Sequence, residues 1–375
     1  MATEIQLNAR KIKNDEFYTQ YQDIQKEINA YLDYNPDVFR GKTIFCPCDD
    51  PEWSNFTKFF AQNFDRFGLK KLISTSYAYN SKNPKPSFDW QPTLFEFENE
   101  KYDAQKSPKN GKIFTLTDEE DPPRDIEKLR WNYLEGDGDF RSEEVKKLRD
   151  EADIIITNPP FSLFREFVSW LTDTDKKFII IGNINALSYK EVFPLIMENK
   201  IWLGATNFNT GMYFQVPEDF VYAATYKFEK TQNGKKVNRV PGVCWFANID
   251  HGRRHQPLEL NTEAQNIRHS KHKEIKGIGY IKYDNYDAIE VPYTDAIPSD
   301  YTGVMGVPIT FLDKYCPEQF EILGQTDREN TSGLRTKVYT ENDCQNYNDL
   351  NRASVINKDG VFSVTYMRIL IKYKK

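Results

Sequence analysis

The sequence predicts an α/β protein: a mainly parallel sheet with helices on both faces, followed by a C-terminal region of different character. Three observations carry this. Residues 153–157 read DIIIT and residues 177–182 read KFIIIG, and continuous apolar runs of strand length belong to strands buried on both faces. Around these runs lie segments with apolar residues at helical spacing, so strands and helices alternate as in a covered parallel sheet. After about residue 200 the alternation gives way to short segments, turns and many aromatics.

The elements follow in chain order. Residues 14–34 predict a polar entry followed by a helix, with Asp15 in position to cap it and Ile24, Ile28 and Tyr31 at helical spacing. Residues 42–46 (KTIFC) predict a strand that runs into Pro47-Cys48-Asp49-Asp50-Pro51. Residues 53–67 carry Phe56, Phe59, Phe60, Phe64 and Phe67 on one helical stripe, and Gly68 stops it. A second strand follows at 72–76. Residues 80–112, rich in Pro, Asn, Lys and acid, predict a long surface excursion. Helices are expected at 141–152, 162–171 and 189–199. Strands are expected at 212–216 and 243–249, joined by a basic loop, and at 361–371. No internal repeat is evident.

Composition narrows the class. The chain has 375 residues, of which 39% are hydrophobic, with 26 Phe, 22 Tyr and 6 Trp, enough core material to exclude a disordered chain. Mean hydropathy is -0.70. No stretch approaches the roughly 18 apolar residues of a membrane helix, and residues 1–13 lack a secretory apolar run. The five cysteines are odd in number and mostly scattered, which predicts free thiols in a reducing cytoplasm. A net charge of -6 argues, taken over the whole chain, against nucleic acid as a partner.

Asn158-Pro159-Pro160-Phe161 is where chemistry is expected. It follows a buried strand and precedes a helix, and in such sheets ligands sit beyond the carboxyl ends of the strands. Two prolines stiffen the turn and remove two amide donors. The Asn158 side-chain carbonyl and the Pro159 backbone carbonyl remain as acceptors, beside the Phe161 ring. A planar amine fits this arrangement, donating two N–H groups while its ring stacks on Phe161. Asn35-Pro36 and Asn83-Pro84, without that context, read as turns.

With these motifs in hand, the sequence resembles the EcoRI-type adenine-specific DNA methyltransferases. Asp15-Glu16-Phe17-Tyr18-Thr19-Gln20-Tyr21, Cys48-Asp49-Asp50-Pro51 with Ser54-Asn55-Phe56, the Asn158 tetrapeptide, and residues 306–315 (GVPITFLDKY) carry the resemblance. It runs from about residue 14 to about residue 325. It implies a Rossmann-like class I methyltransferase sheet over residues 1–250 and a DNA target-recognition region over 251–375. It implies S-adenosylmethionine as cofactor, with Phe17, Tyr18 and Thr19 packing against it. Either Asp49 or Asp50 would meet its ammonium group, and Asp139 and Phe140 would hold its adenine. Asn158, Pro159, Pro160 and Phe161 would be catalytic. The loop after the first strand departs from the family's usual pattern in having no glycine, and residues 74–79 offer no acid for the ribose. Pro47-Cys48 has the letters of a cytosine C5 nucleophile but follows the first strand, not the catalytic one.

The charge is segregated. Residues 227–282 hold twelve Lys and Arg against five acids, a net +7, which leaves -13 for the rest. Such a stretch suits phosphates, and Lys235, Lys236, Arg239, Arg253, Arg254 and Lys271 are its candidate ligands. All four histidines lie there, but no cysteine or acid pair completes a zinc site, so no metal is expected. A base inside a duplex cannot reach the tetrapeptide, so the target is expected to flip out. The sequence therefore predicts a monomeric enzyme that methylates adenine N6 in double-stranded DNA, as in restriction-modification systems. Cytosine N4, an RNA adenine, a glutamine amide, or a DNA-binding protein without catalysis are the alternatives.

Overall fold

In the computed structural model the apolar runs become the centre of an eight-stranded sheet. The structure describes residues 18–78, 102–118, 131–206, 208, 210–215, 230–232 and 235–374. The chain enters as β1 (Tyr18–Thr19) and helix α1 (Tyr21–Tyr34), then β2 (Thr43–Cys46), α2 (Asn55–Gln62), α3 (Phe64–Phe67) and β3 (Lys71–Thr75). Next come β4 (Lys112–Thr117), β5 (Trp131–Tyr133), α4 (Glu143–Glu151), β6 (Ile154–Thr157), α5 (Phe164–Thr172) and β7 (Lys177–Asn183). A short helix α6 (Phe193–Met197) leads to β8 (Trp202–Leu203), β9 (Met212–Gln215), β10 (Lys230–Gln232), β11 (Lys235–Val240) and β12 (Val243–Ala247).

The sheet order is β5-β4-β3-β2-β6-β7-β12-β8. Strands β3, β2, β6 and β7 are parallel neighbours, with Ile44 beside Leu72 and Ile154, and Ile156 beside Ile179. Strand β12 inserts antiparallel between β7 and β8. Both faces of the centre are buried, which is why its strands show no polar alternation. On one face Ile44, Cys46, Leu72, Ile154, Ile156, Ile179 and Ile181 join Ile24, Ile28 and Tyr31 of α1 and Phe56, Phe59 and Phe60 of α2. Alternation turns Phe45, Ile73, Ile155 and Ile180, also buried, to the opposite face. There Phe164 of α5 packs on Phe246 of β12, ring centroids 5.2 Å apart.

Several elements depart from the sequence reading. The first helix begins at Tyr21, because Tyr18 and Thr19 pair with Gln215 and Phe214 as an edge strand; Asp15 lies outside the described residues. The aromatic helix breaks at Asn63 into α2 and α3, and Gly68, at φ 62°, closes the second in the left-handed region. The helix expected at 189–199 shrinks to Phe193–Met197, since Pro194 lacks an N–H and fits only a first turn. Strands β4 and β5, which the sequence reading did not assign, extend the sheet antiparallel; the excursion expected at 80–112 lies largely outside the described residues. The basic loop holds the β10–β11 hairpin, part of a second sheet of order β1-β9-β11-β10.

The chain divides into two compact units: 1–193 with 201–251, and 194–200 with 252–375. In the second, helix α7 (Glu263–His269) is closed by a capping box between Thr262 and Gln265. Strands β13 (Ile289–Glu290), β14 (Met305–Pro308), β15 (Phe320–Gln325) and β18 (Arg368–Tyr373) form a sheet of order β13-β14-β18-β15. The run expected as one strand at 361–371 is two elements. A hairpin of β16 (Val355–Lys358) and β17 (Val361–Val364) turns at Asp359 and Gly360, both at positive φ, before β18 begins. No helix among the described residues is long and apolar enough to cross a membrane.

Candidate active site

The sheet order reverses at β2. Its neighbours are β3, next along the central sheet, and β6, reached only after the chain has made β3, β4 and β5. Loops leaving two such strands diverge and open a crevice beyond their carboxyl ends. The two loops here are 47–54, after β2, and 158–161, after β6.

Asp49 ties the two loops together. It is 5% exposed. Its Oδ2 accepts from Thr157 Oγ1 at 2.5 Å and its Oδ1 from Ser54 Oγ at 2.7 Å, and the carboxyl also accepts the Asn158 backbone N–H. Thr157 Oγ1 in turn accepts from the Cys48 N–H at 3.2 Å. Burial pushes the Asp49 carboxyl up to about 7, against those three donors, all of which favour the ionised form. Ser54 also caps α2, its oxygen accepting the Phe56 N–H at 3.0 Å. The next residue, Asn55, donates to the Thr19 carbonyl at 2.7 Å and so brings β1 to the same loop.

Asn158 is half-buried, with its side-chain oxygen shielded from bulk water. Pro159 is buried, and Pro160 precedes a single 3-10 turn, Phe161–Leu163, closed by the Leu163 N–H on the Pro160 carbonyl at 3.0 Å. Phe161 is half-buried against the central core.

On the loop after β2, Asp50 keeps a quarter-exposed side chain 3.9 Å from Lys112. Glu52 accepts from Lys112 at 3.0 Å and from the Trp131 indole at 2.8 Å. The Lys112 ammonium lies 4.7 Å from the Trp131 ring centroid. The Thr19 hydroxyl is buried with no hydrogen-bond partner among the described residues. Burial, with the Asp49 charge beside it, holds the Cys48 thiol far above neutral pH, so it is no thiolate nucleophile.

Among the other sequence candidates, Phe17 lies outside the described residues. Asp139 is gripped by the Arg141 guanidinium at 2.9 and 2.8 Å. Phe140 is buried with its ring edge-to-face on Phe167 and Trp170. Lys235, Lys236 and Arg239 lie on β11 in the first unit, where Arg239 Nε donates to the Thr210 carbonyl at 2.8 Å. The other three belong to the second unit. Arg253 pairs with Asp313 at 2.5 Å, Arg254 donates to Asn199 at 2.7 Å, and Lys271 pairs with Asp295 at 2.7 Å. Among the described residues no three His, Cys, Asp or Glu side chains come together as a metal group. Sequence reasoning missed Thr157, Lys112, Glu52 and Trp131. Thr157, the polar residue closing an all-isoleucine strand, was the one visible signal.

A sheet that reverses between β2 and β6 and carries its antiparallel strand between β7 and β8 is the sheet of a class I methyltransferase. The family described as adenine-specific methyltransferase EcoRI matches residues 6–374, and the chain belongs to it. It is 42% identical to type II methyltransferase M.EcoRI of Escherichia coli, over 84% of this chain and 87% of that one. It is 35% identical to type II methyltransferase M.MpnI of Mycoplasma pneumoniae, over 84% and 83%. With type II methyltransferase M.MgeORF184P of Mycoplasma genitalium the figure is 34%, over 97% of both chains. No solved structure matches. The chain is thus an adenine-specific DNA methyltransferase of the restriction-modification type, and its reaction requires a methyl donor.

Proposed function

We propose that the protein transfers a methyl group from S-adenosylmethionine to N6 of an adenine rotated out of double-stranded DNA. The observation that carries this reading is the seat of Asn158-Pro159-Pro160-Phe161 at the point where the strand order reverses, bridged by Asp49 to the loop after β2. When bound, S-adenosylmethionine supplies an activated methyl group, so the protein needs no nucleophile of its own. Asn158 and Pro159 accept hydrogen bonds from the two amine N–H groups through their carbonyls and hold the nitrogen in place, and one of the two protons leaves for solvent once the nitrogen carries the methyl group. Acceptors fixed before the reaction act as electrostatic preorganisation. Phe161 stacks on the flipped ring.

The residues beside the crevice fit the cofactor. Asp49 is committed to three internal donors, so Asp50 is assigned the ammonium group. Thr19, whose hydroxyl is buried with no hydrogen-bond partner among the described residues, is assigned to the same ligand, and so are Phe17 and Tyr18. Asp139 and Phe140, held by Arg141 and by Phe167 and Trp170, shape the adenine end through the loop they anchor. Residues 1–250 carry cofactor and catalysis, and 251–375 read the target.

Labelled methyl transfer to DNA, followed by nucleoside analysis, tests this directly. Label is expected in N6-methyladenine, and label in N4-methylcytosine defeats the proposal. Lys235, Lys236 and Arg239 are assigned to phosphates, whereas Arg253 and Arg254 serve contacts inside the second unit. Replacing the first three with Ala is expected to reduce the slope of log affinity against log salt by roughly 2 to 3. An unchanged slope removes β11 from the interface.

A further inference from the structure

The second unit exposes an apolar residue where its chemistry alone would not place one. Ile278 is 64% exposed, between Gly277 at φ 76° and Gly279 at φ 88°. Two left-handed positions in three residues set the backbone of the tip, and open space surrounds Gly277. The tip is nevertheless held firmly. The Gly277 N–H donates to Ile267 of α7 at 2.8 Å, the Gly279 N–H to Ile275 at 2.9 Å, and the Lys276 N–H to His272 at 3.0 Å. Ile275 is 1% exposed and anchors the turn from inside. At its base the His272 ring stacks on Tyr293, centroids 3.7 Å apart, and bonds Asp295 at 2.8 Å.

The flanks of this tip are basic. Residues 268–282 contain Arg268, Lys271, Lys273, Lys276 and Lys282, all exposed, against the acid Glu274 within the stretch and Asp295 beside it, which pairs with Lys271. An apolar tip on a rigid turn ringed by cations does not suit an apolar protein groove, whose partner would leave the cations facing nothing. It suits a polyanion with apolar surface between its charges, and duplex DNA has that composition: phosphates outside, base faces and methyls within.

Building on the function proposed above, we propose that the turn 271–282 is a DNA-contacting wedge, with Lys273 and Lys276 on phosphates and Ile278 packed against bases in a groove. Apolar side chains that enter a groove help the duplex distort, which base flipping requires. This assigns part of target engagement to one side chain in a unit where Arg253, Arg254 and Lys271 are engaged internally.

The test uses the full chain, with a supercoiled plasmid as DNA and labelled methyl transfer as the rate. Ile278→Ala is expected to lower kcat/KM for the plasmid about ten-fold or more, with the melting temperature and the salt slope of plasmid binding unchanged. Ile278→Leu is expected to restore the rate to within about three-fold. Lys273→Ala with Lys276→Ala is expected to reduce the salt slope by about 2. An Ile278→Ala rate within about two-fold of the unaltered chain overturns the wedge and leaves the proposed function standing. A drop in melting temperature that accompanies the loss of rate assigns Ile278 to folding and overturns it as well. An unaltered chain that transfers no methyl to DNA overturns both.

Discussion

Asn158→Ala is expected to lower the single-turnover rate of methyl transfer by about 100- to 1,000-fold while S-adenosylmethionine affinity changes by less than about three-fold. The magnitude follows from removing one preorganised polar group at a reacting centre, typically about 3 to 4 kcal/mol of transition-state stabilisation. The selectivity follows from the local structure. Alanine keeps the backbone N–H that donates to Asp49. Pro159 and Pro160 still fix the turn, and the 3-10 turn at Phe161–Leu163 is closed by backbone atoms. The Ser54 cap of α2 rests on Asp49 and on the Phe56 N–H, and alanine at 158 leaves both bonds in place. The acceptor assigned to the amine is lost. Rapid-quench rates and calorimetric cofactor titration of the same variant separate the two effects. A parallel loss of both shows that Asn158 supports the cofactor loop and leaves the amine to Pro159.

How far the sequence could show this depends on the range of each interaction. Strands β2, β6 and β7 were legible because burial on both faces removes polar residues from the run. Strand β4 was not: its KIFTLT follows a Pro- and Asn-rich segment, and its partners Lys71–Thr75 lie on a strand formed 37 or more residues earlier. Strand β5 is three residues long, too short to carry a period. At the site, Asn158 was legible because two prolines leave a local turn few options. The proposed choice between Asp49 and Asp50 is not local. It rests on Thr157, 108 residues beyond Asp49 in sequence. The same limit applies to charge. Counting gave +7 over residues 227–282, but the structure splits that stretch between two units, and Asp313, 60 residues on, engages Arg253. A count along the chain cannot see a pairing across it.

The stability of the unaltered protein is expected to fall between pH 5 and pH 8 by about 2 to 3 kcal/mol more than that of Asp49→Asn. The sign follows from proton counting. An unfolded aspartate ionises near 3.9, while burial holds Asp49 in the folded chain up to about 7. Between those values the folded chain keeps a proton that the unfolded chain has released, so raising the pH favours unfolding. Above about 7 both states are ionised and the difference levels off. Asparagine cannot ionise, so its variant lacks this slope, and other groups titrating in the range cancel in the comparison. The variant has its own cost, because its amide has only one acceptor where the carboxylate has two. The Thr157 and Ser54 hydroxyls can reorient, but the Asn158 N–H cannot, so the asparagine oxygen must turn toward that N–H. Urea unfolding at the two pH values measures the difference. Equal pH dependence in the two proteins means that Asp49 is already ionised at pH 5. The three donors would then outweigh burial, and the bridge between the loops would be a full charge held by hydrogen bonds alone.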